Sequence, residues 1–315
     1  MADPVNPITK DSTQFQFEFG STELPYYLDI KRLHLMAWLS ITKTEKATGV
    51  TTPVTQLSDN CIPLAWIPDT IWESLDIYLN GYKLTGSLSY RHVYVQLLKT
   101  ICFNKAAVYS YAGGLEWGRI NQGDSTDHTP HTQTAKMFGQ KVPTETVPPS
   151  IPFVSVLTHP LCGITEKLPP KTSIRIVLTK APDAALLLSG PHAKDKNLSV
   201  DVEKYSYKLQ INKMVMFCRR YQMLDKILIS DKEKMNTRPA KFFYYRPISS
   251  WVNIPAGTNF TTQTIFKESD MVAKIWLVFY DQSRLSGDVK KSLAFFERPH
   301  DLESIEIMVG VCKSY

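Results

Sequence analysis

The sequence predicts an all-β protein, an antiparallel sandwich or jelly roll with one or two short helices in its loops. Three observations predict it. Apolar and polar residues alternate with period two in one stretch after another, the signature of strands with one buried face. Asn80-Gly81 closes one such stretch, and Asn-Gly is the strongest short hairpin signal because both turn positions favour positive φ. Pro (20) outnumbers Gly (14) and aromatics make up 11%, which suits strands joined by stiff corners better than a helical bundle.

The elements follow in order. Phe15, Phe17 and Phe19 alternate with Gln16 and Glu18. Leu33, Leu35, Ala37 and Leu39 share one face of a second strand, with His34, Met36, Trp38 and Ser40 on the other. Leu75, Ile77 and Leu79 lead into the Asn80-Gly81 turn. Over 90–103 the period changes: Tyr90, Val93, Tyr94, Leu97, Leu98 and Ile101 recur at three and four, which predicts an amphipathic helix with Ser89 as its N-cap. Residues 113–151 are rich in Gly, Thr, Asp, His, Gln and Pro without any period and read as a long loop, as does 190–199. Ile174, Ile176 and Leu178 mark another strand, and a short helix is expected at 183–188 after Pro182. Leu209, Ile211, Val215 and Phe217 place one phase of a further strand, and Ile275, Leu277, Phe279, Ile305, Ile307 and Val309 predict two more.

Composition narrows the functional classes. The chain has 315 residues, 43% of them hydrophobic and 21% charged, an ordinary globular balance with room for one or two cores. No apolar run reaches the ~18–20 residues needed to cross a bilayer, and 1–19 lacks the apolar core of a signal peptide, so an intracellular, non-secreted protein is expected. Five cysteines (Cys61, Cys102, Cys162, Cys218, Cys312) show no metal-type spacing and read as reduced thiols. The formal charge of +6 is uneven: residues 1–170 carry 13 Lys+Arg against 15 Asp+Glu, whereas 204–246 alone carry 11 against 3. Lys232, Lys234, Arg238 and Lys241 are the candidates for a surface facing DNA or an acidic partner.

Catalytic constellations are missing. His128-Thr129-Pro130-His131 has Asp124 and Asp127 nearby but lacks a regular third ligand, so no metal site is assigned. The sequence contains no Gly-x-Ser-x-Gly, no Walker loop and no Gly-x-Gly-x-x-Gly. No catalytic or cofactor-binding residue, cofactor or small-molecule substrate is therefore expected. The run Phe242-Phe243-Tyr244-Tyr245-Arg246 is read as packing across a domain boundary rather than as a base-stacking platform.

Two stretches repeat in order. A Trp-bearing strand at Trp38 followed by Glu73-Ser74-Leu75-Asp76-Ile77 matches one at Trp276 followed by Glu303-Ser304-Ile305-Glu306-Ile307. With Tyr27-Leu28-Asp29, the 33–41 strand, Asp76-Ile77-Tyr78-Leu79-Asn80-Gly81, the 90–101 helix, Ser173-Ile174-Arg175-Ile176-Val177-Leu178 and the 208–219 strand, this order resembles the major capsid proteins of Polinton/Maverick elements and adintoviruses, including capsid-like proteins encoded in animal genomes. The resemblance implies a double jelly roll: two eight-stranded sandwiches side by side, three chains per pseudo-hexagonal capsomer, and capsomers tiling an icosahedral virion capsid. It implies self-association first, then penton or minor capsid proteins and packaged DNA as partners. The expected layout is an N-terminal arm (1–14), a first jelly roll (15–223) holding the 113–151 loop, a linker (224–237) and the start of a second jelly roll (238–315), incomplete because the family's continues past the strand matching 302–309. The alternative is a host-encoded or domesticated jelly-roll binding module that does not assemble.

Overall fold

The computed structural model describes residues 2–9, 11–20, 26–54, 61–63, 67–84, 90–102, 150–164, 166–189, 203–245, 247–250, 252–255, 257–258, 274–279 and 304–305. Two four-stranded antiparallel sheets dominate. The first has the order β1 (Gln14–Phe19), β8 (Ile174–Lys180), β5 (Trp72–Leu79) and β6 (Tyr82–Lys83). The second is built on β2 (Tyr26–Glu45), with β10 (Tyr205–Gln222) along one side and β3 (Thr51–Pro53) and β7 (Ile151–Val156) on the other. A short ribbon pairs β4 (Cys61–Pro63) with β9 (Leu187–Ser189). The major strands β1, β2, β5, β7, β8 and β10 go alternately to the first and second sheet, which is the winding of a jelly roll.

The alternation in the sequence explains why the sheets form one core. Phe15, Phe17 and Phe19 are buried while Gln14 and Glu18 are exposed, and Phe17 lies opposite Ile176, which lies opposite Ile77. On the second sheet Leu33, Leu35, Ala37, Leu39 and Ile41 join the same buried cluster, together with Phe153, Leu209 and Ile211. The Phe15 and Trp72 rings meet edge to face at 5.6 Å. Asn80 (φ +48°) and Gly81 (φ +84°) form the two-residue turn between β5 and β6, and the turn is tied to the start of β8 through Asn80 Oδ1, which accepts from Ser173 N at 2.9 Å.

The structure differs from the sequence reading in five places. The ladder between β10 and β2 shifts register between Ile211 and Lys213, so the inward phase passes to Met214 and Met216 and Phe217 is left 37% exposed. Ile151 and Pro152, read as the end of a loop, begin β7; a proline is tolerated there because β7 lies at the sheet edge. The helix α1 (Arg91–Cys102) buries Arg91, His92 and Lys99 beside Val93, Val95 and Leu97, so its inward side is not the apolar stripe alone. The expected linker 224–237 is a helix, α3 (Asp225–Thr237), built from good helix formers with no buried residue; between it and α1 lies the short α2 (Asp183–Leu186). Residues 274–279, where a strand is expected, join no ladder among the described residues, and the residues flanking them lie outside that set.

Beyond α3 the aromatic run divides by phase. Phe242 and Tyr244 turn to the sandwich core, and the Tyr244 hydroxyl donates to the Leu84 carbonyl at 2.7 Å. Phe243 and Tyr245 point outward, 86% and 76% exposed. Ser89, most of the 113–151 loop, residues 190–199, Arg246 and nearly all of the second repeat lie outside the described residues.

Packing ranks the aromatic side chains. Phe17→Ala is expected to cost about 3–5 kcal/mol in urea unfolding, the range for truncating a fully buried phenylalanine. Phe243→Ala is expected to stay within about 0.5 kcal/mol of the parent, as for an exposed side chain.

Candidate functional site

Where the loop before β5, helix α1 and the loop after β7 converge, the sandwich encloses a cluster of charge. Asp69 opens a 3-10 turn (Asp69–Ile71) and is completely buried. Its Oδ1 accepts from Arg91 Nη2 at 2.6 Å, and its Oδ2 accepts from Thr158 N at 3.0 Å with Lys99 Nζ 3.3 Å away. Arg91 also donates from Nη1 to the Asp69 carbonyl at 2.7 Å and from Nη2 to the Thr158 carbonyl at 2.9 Å. Lys99 Nζ donates to Ser155 Oγ at 2.9 Å. Arg91 and Lys99 lie eight residues apart on α1 with Val95 midway, so the i, i+4, i+8 spacing sets all three on one side of the helix.

The electrostatics follow from burial. Desolvation alone would push the Asp69 carboxyl up; the Arg91 guanidinium and Lys99 ammonium, with N–H donors from Arg91 and Thr158, outweigh it and hold it below the usual carboxylate range. Burial, with Arg91 adding to it, pushes the neighbouring His159 imidazole down to about 4. His159 is therefore neutral near pH 7, and its Nδ1 accepts from Leu161 N at 3.1 Å, capping the following 3-10 turn. A second contact lies beside the first: Glu73 Oε1 accepts from Tyr90 N at 3.2 Å, and its Oε2 is 3.2 Å from His92 Nδ1, though without hydrogen-bond alignment. Both Asp69 oxygens are engaged by protein groups, so the cluster fastens α1 to two loops. Among the described residues no three His, Cys, Asp or Glu side chains gather as metal ligands would. Burial pushes the Cys162 thiol up to about 12 and the Cys218 thiol to about 11.

The basic candidates lie elsewhere. Lys232 and Lys234 on α3, and Arg238 and Lys241 after it, are exposed and make no ion pair among the described residues. The rest of the basic stretch is partly neutralised at home: Lys204 lies 3.5 Å from Glu45, Lys208 2.6 Å from Asp11, and Lys213 stacks over the Trp38 ring at 5.0 Å. Helix α3 touches the sandwich through the Tyr27 hydroxyl, which donates to Asp231 Oδ2 at 2.7 Å; burial and that carboxylate push the phenol up to about 12. The sequence reading did not find the Asp69 cluster. Its one available signal was the pair of cations at Arg91 and Lys99 interrupting the buried side of an otherwise amphipathic helix.

The fold and its surfaces place the described residues in the class of antiparallel jelly-roll sandwiches. No protein-family model and no curated protein matches the chain. Among solved structures it is similar to a chain of the Sputnik virophage determined by cryo-EM, with a TM-score of 0.45 and 13% identity over 71% of this chain and 47% of that one. It is likewise similar to the mavirus major capsid protein, with a TM-score of 0.42 and 12% identity over 72% of this chain and 47% of that one. The chain thus spans about half the length of each.

The buried charges predict acid sensitivity. The folded state holds His159 neutral down to about pH 4, whereas an unfolded histidine takes its proton near 6.5. The stability this contributes is complete above about pH 6.5 and falls by about 3 kcal/mol by pH 4. Asp69, held below the usual range, adds a further loss as pH falls through its lowered pKa. Denaturant midpoints measured from pH 7 to pH 4 should show this slope, and His159→Asn, which keeps the capping acceptor, should flatten it. Asp69→Asn should cost about 3–5 kcal/mol at pH 7 by leaving two buried cations without their anion.

Proposed function

We propose that this chain is a structural subunit of the major-capsid type. It works by self-association and not by catalysis, in a shell built from trimeric pseudo-hexagonal capsomers with icosahedral symmetry. One observation carries the reading. The motifs that resemble Polinton/Maverick capsid proteins fall on the load-carrying elements of one sandwich. Residues 33–41 and 208–219 are the paired strands β2 and β10, residues 76–81 and 174–178 are the paired strands β5 and β8 with their turn, and 91–101 is α1. A shared motif order would not imply shared architecture if those motifs were scattered over loops.

In this reading 238–315 opens a second jelly roll beside the first, and penton or minor capsid proteins join the shell. The apolar side chains left exposed on one body, Phe217, Ile227, Ile229, Phe243 and Tyr245, become contact surface. Stable association of this kind buries roughly 1,600 Å² or more per interface. The exposed cations Lys232, Lys234, Arg238 and Lys241 face packaged DNA, where each neutralised phosphate makes binding more salt-dependent.

Two measurements test this. Light scattering and electron microscopy of the full chain should show trimers and larger closed shells; a monomer at every concentration would favour the non-assembling binding module instead. In assembled particles, replacing Lys232, Lys234 and Lys241 together by glutamate should lower the DNA content, and an unchanged content would remove DNA from the list of partners.

A further inference from the structure

The open side of the sandwich is closed by the segment before β1. Ala2 pairs with Met216 on β10, its N–H donating to the Met216 carbonyl at 2.8 Å and its carbonyl accepting from Met216 N at 3.0 Å. Val5 N–H donates to the Gln16 carbonyl on β1 at 2.7 Å. These contacts join the outer edges of the two sheets, because β10 ends one and β1 ends the other. Ala2 and Ile8 pack against the core, and Asp11 accepts from Lys208 Nζ on β10 at 2.6 Å. Residues 2–8 therefore act as a strap laid across a groove between two sheet edges.

Two properties of the strap matter. It is lightly held: among the described residues three backbone hydrogen bonds fix it, and Asp3, Val5, Asn6 and Pro7 are exposed. Pro4 and Pro7 fix their own φ and bias the preceding residues away from helix, and the segment bends once, at Val5 and Asn6. Its seat is a ready pairing site when vacated. Removing the strap opens the Met216 N–H and carbonyl, which lie on the outer edge of β10, to water or to another strand. A second copy of this chain carries the segment that already pairs with this edge. Exchange of an identical element between protomers costs little, because each hydrogen bond given up within a chain is made again between chains.

We infer that residues 2–8 are an exchangeable arm: on assembly the strap of one copy takes the β10–β1 groove of a neighbour. This rests on the self-assembly reading above. The intervening residues 6–13 can span on the order of 27 Å when extended, which sets the reach available for the exchange.

Directed cross-linking of the full chain tests it, in a Cys218→Ser background to remove the nearest native thiol. Chains bearing only Ala2→Cys, labelled with heavy nitrogen, are mixed as monomers with unlabelled chains bearing only Met216→Cys, allowed to assemble and oxidised with glutathione disulfide. Antiparallel bridge partners lie within disulfide reach. The expected result is a covalent labelled–unlabelled dimer that appears with the oligomer and is absent from the dilute monomer. Val5→Cys mixed with Gln16→Cys repeats the test at positions outside the core, in case Met216→Cys fails to fold. If oligomers form while neither mixture links between chains and the Ala2→Cys/Met216→Cys double variant links only within its own chain, the exchange is wrong and self-assembly stands. If no oligomer forms at all, both fall.

Discussion

Burying the Asp69 carboxylate is the constraint from which the end of the sandwich is built. A lone carboxylate in a dry interior costs several kcal/mol, so the fold must supply cations and donors from other elements. It takes Arg91 and Lys99 from α1 and Thr158 N from the loop after β7, and the result is one position for α1 relative to both loops. An apolar contact there could slide by a fraction of a turn, but a guanidinium bonded at once to Oδ1, the Asp69 carbonyl and the Thr158 carbonyl cannot. The cluster therefore contributes register more than net stability. The neutral His159 beside it caps its own turn and adds no further positive charge at neutral pH.

That fixed end meets a long spine. The β2–β10 ladder runs the length of both strands, broken near Asn212 and again near Cys218. Each irregularity changes which side chains face outward. The first turns Met214 and Met216 inward and aligns Lys213 with the outer Trp38, whose indole face carries the ammonium. The outer surface of this sheet is thus a mixture of half-buried apolar groups and cations, and its charge is not that of a uniform basic stripe.

The layered architecture was legible in the sequence because period-two burial leaves a direct trace. Phe15, Phe17 and Phe19 could be assigned to one face without any structure, as could Leu33 to Ile41 on β2. The bulge at Asn212 was not legible, since one inserted residue moves every later side chain to the other face and composition does not record it. The Asp69 cluster escaped for a related reason. Arg91 and Lys99 interrupt the buried side of the helix, but nothing local names their partner, a carboxylate more than twenty residues away in sequence. Residues 224–237 fall between the two expected jelly rolls and carry no apolar stripe by which a docked helix is recognised; their composition favours helix, and the side-chain hydrogen bond from Tyr27 to Asp231 ties the helix to the sandwich.

Strand edges set the remaining constraint on the fold. An unprotected 18-residue edge such as β10 invites uncontrolled pairing with other chains. Here two of its residues are capped by groups that are not a neighbouring strand. Leu209 donates its N–H to Asp183 Oδ1 and accepts at its carbonyl from Lys180 Nζ, so an ion pair substitutes for a ladder rung. Met216 is capped by Ala2. The two caps differ in kind: the first comes from α2 and the end of β8, both integral to the body, and the second from a strap held by three hydrogen bonds. Both caps occupy backbone groups that an added strand would need, so β10 is closed to further pairing at these two points.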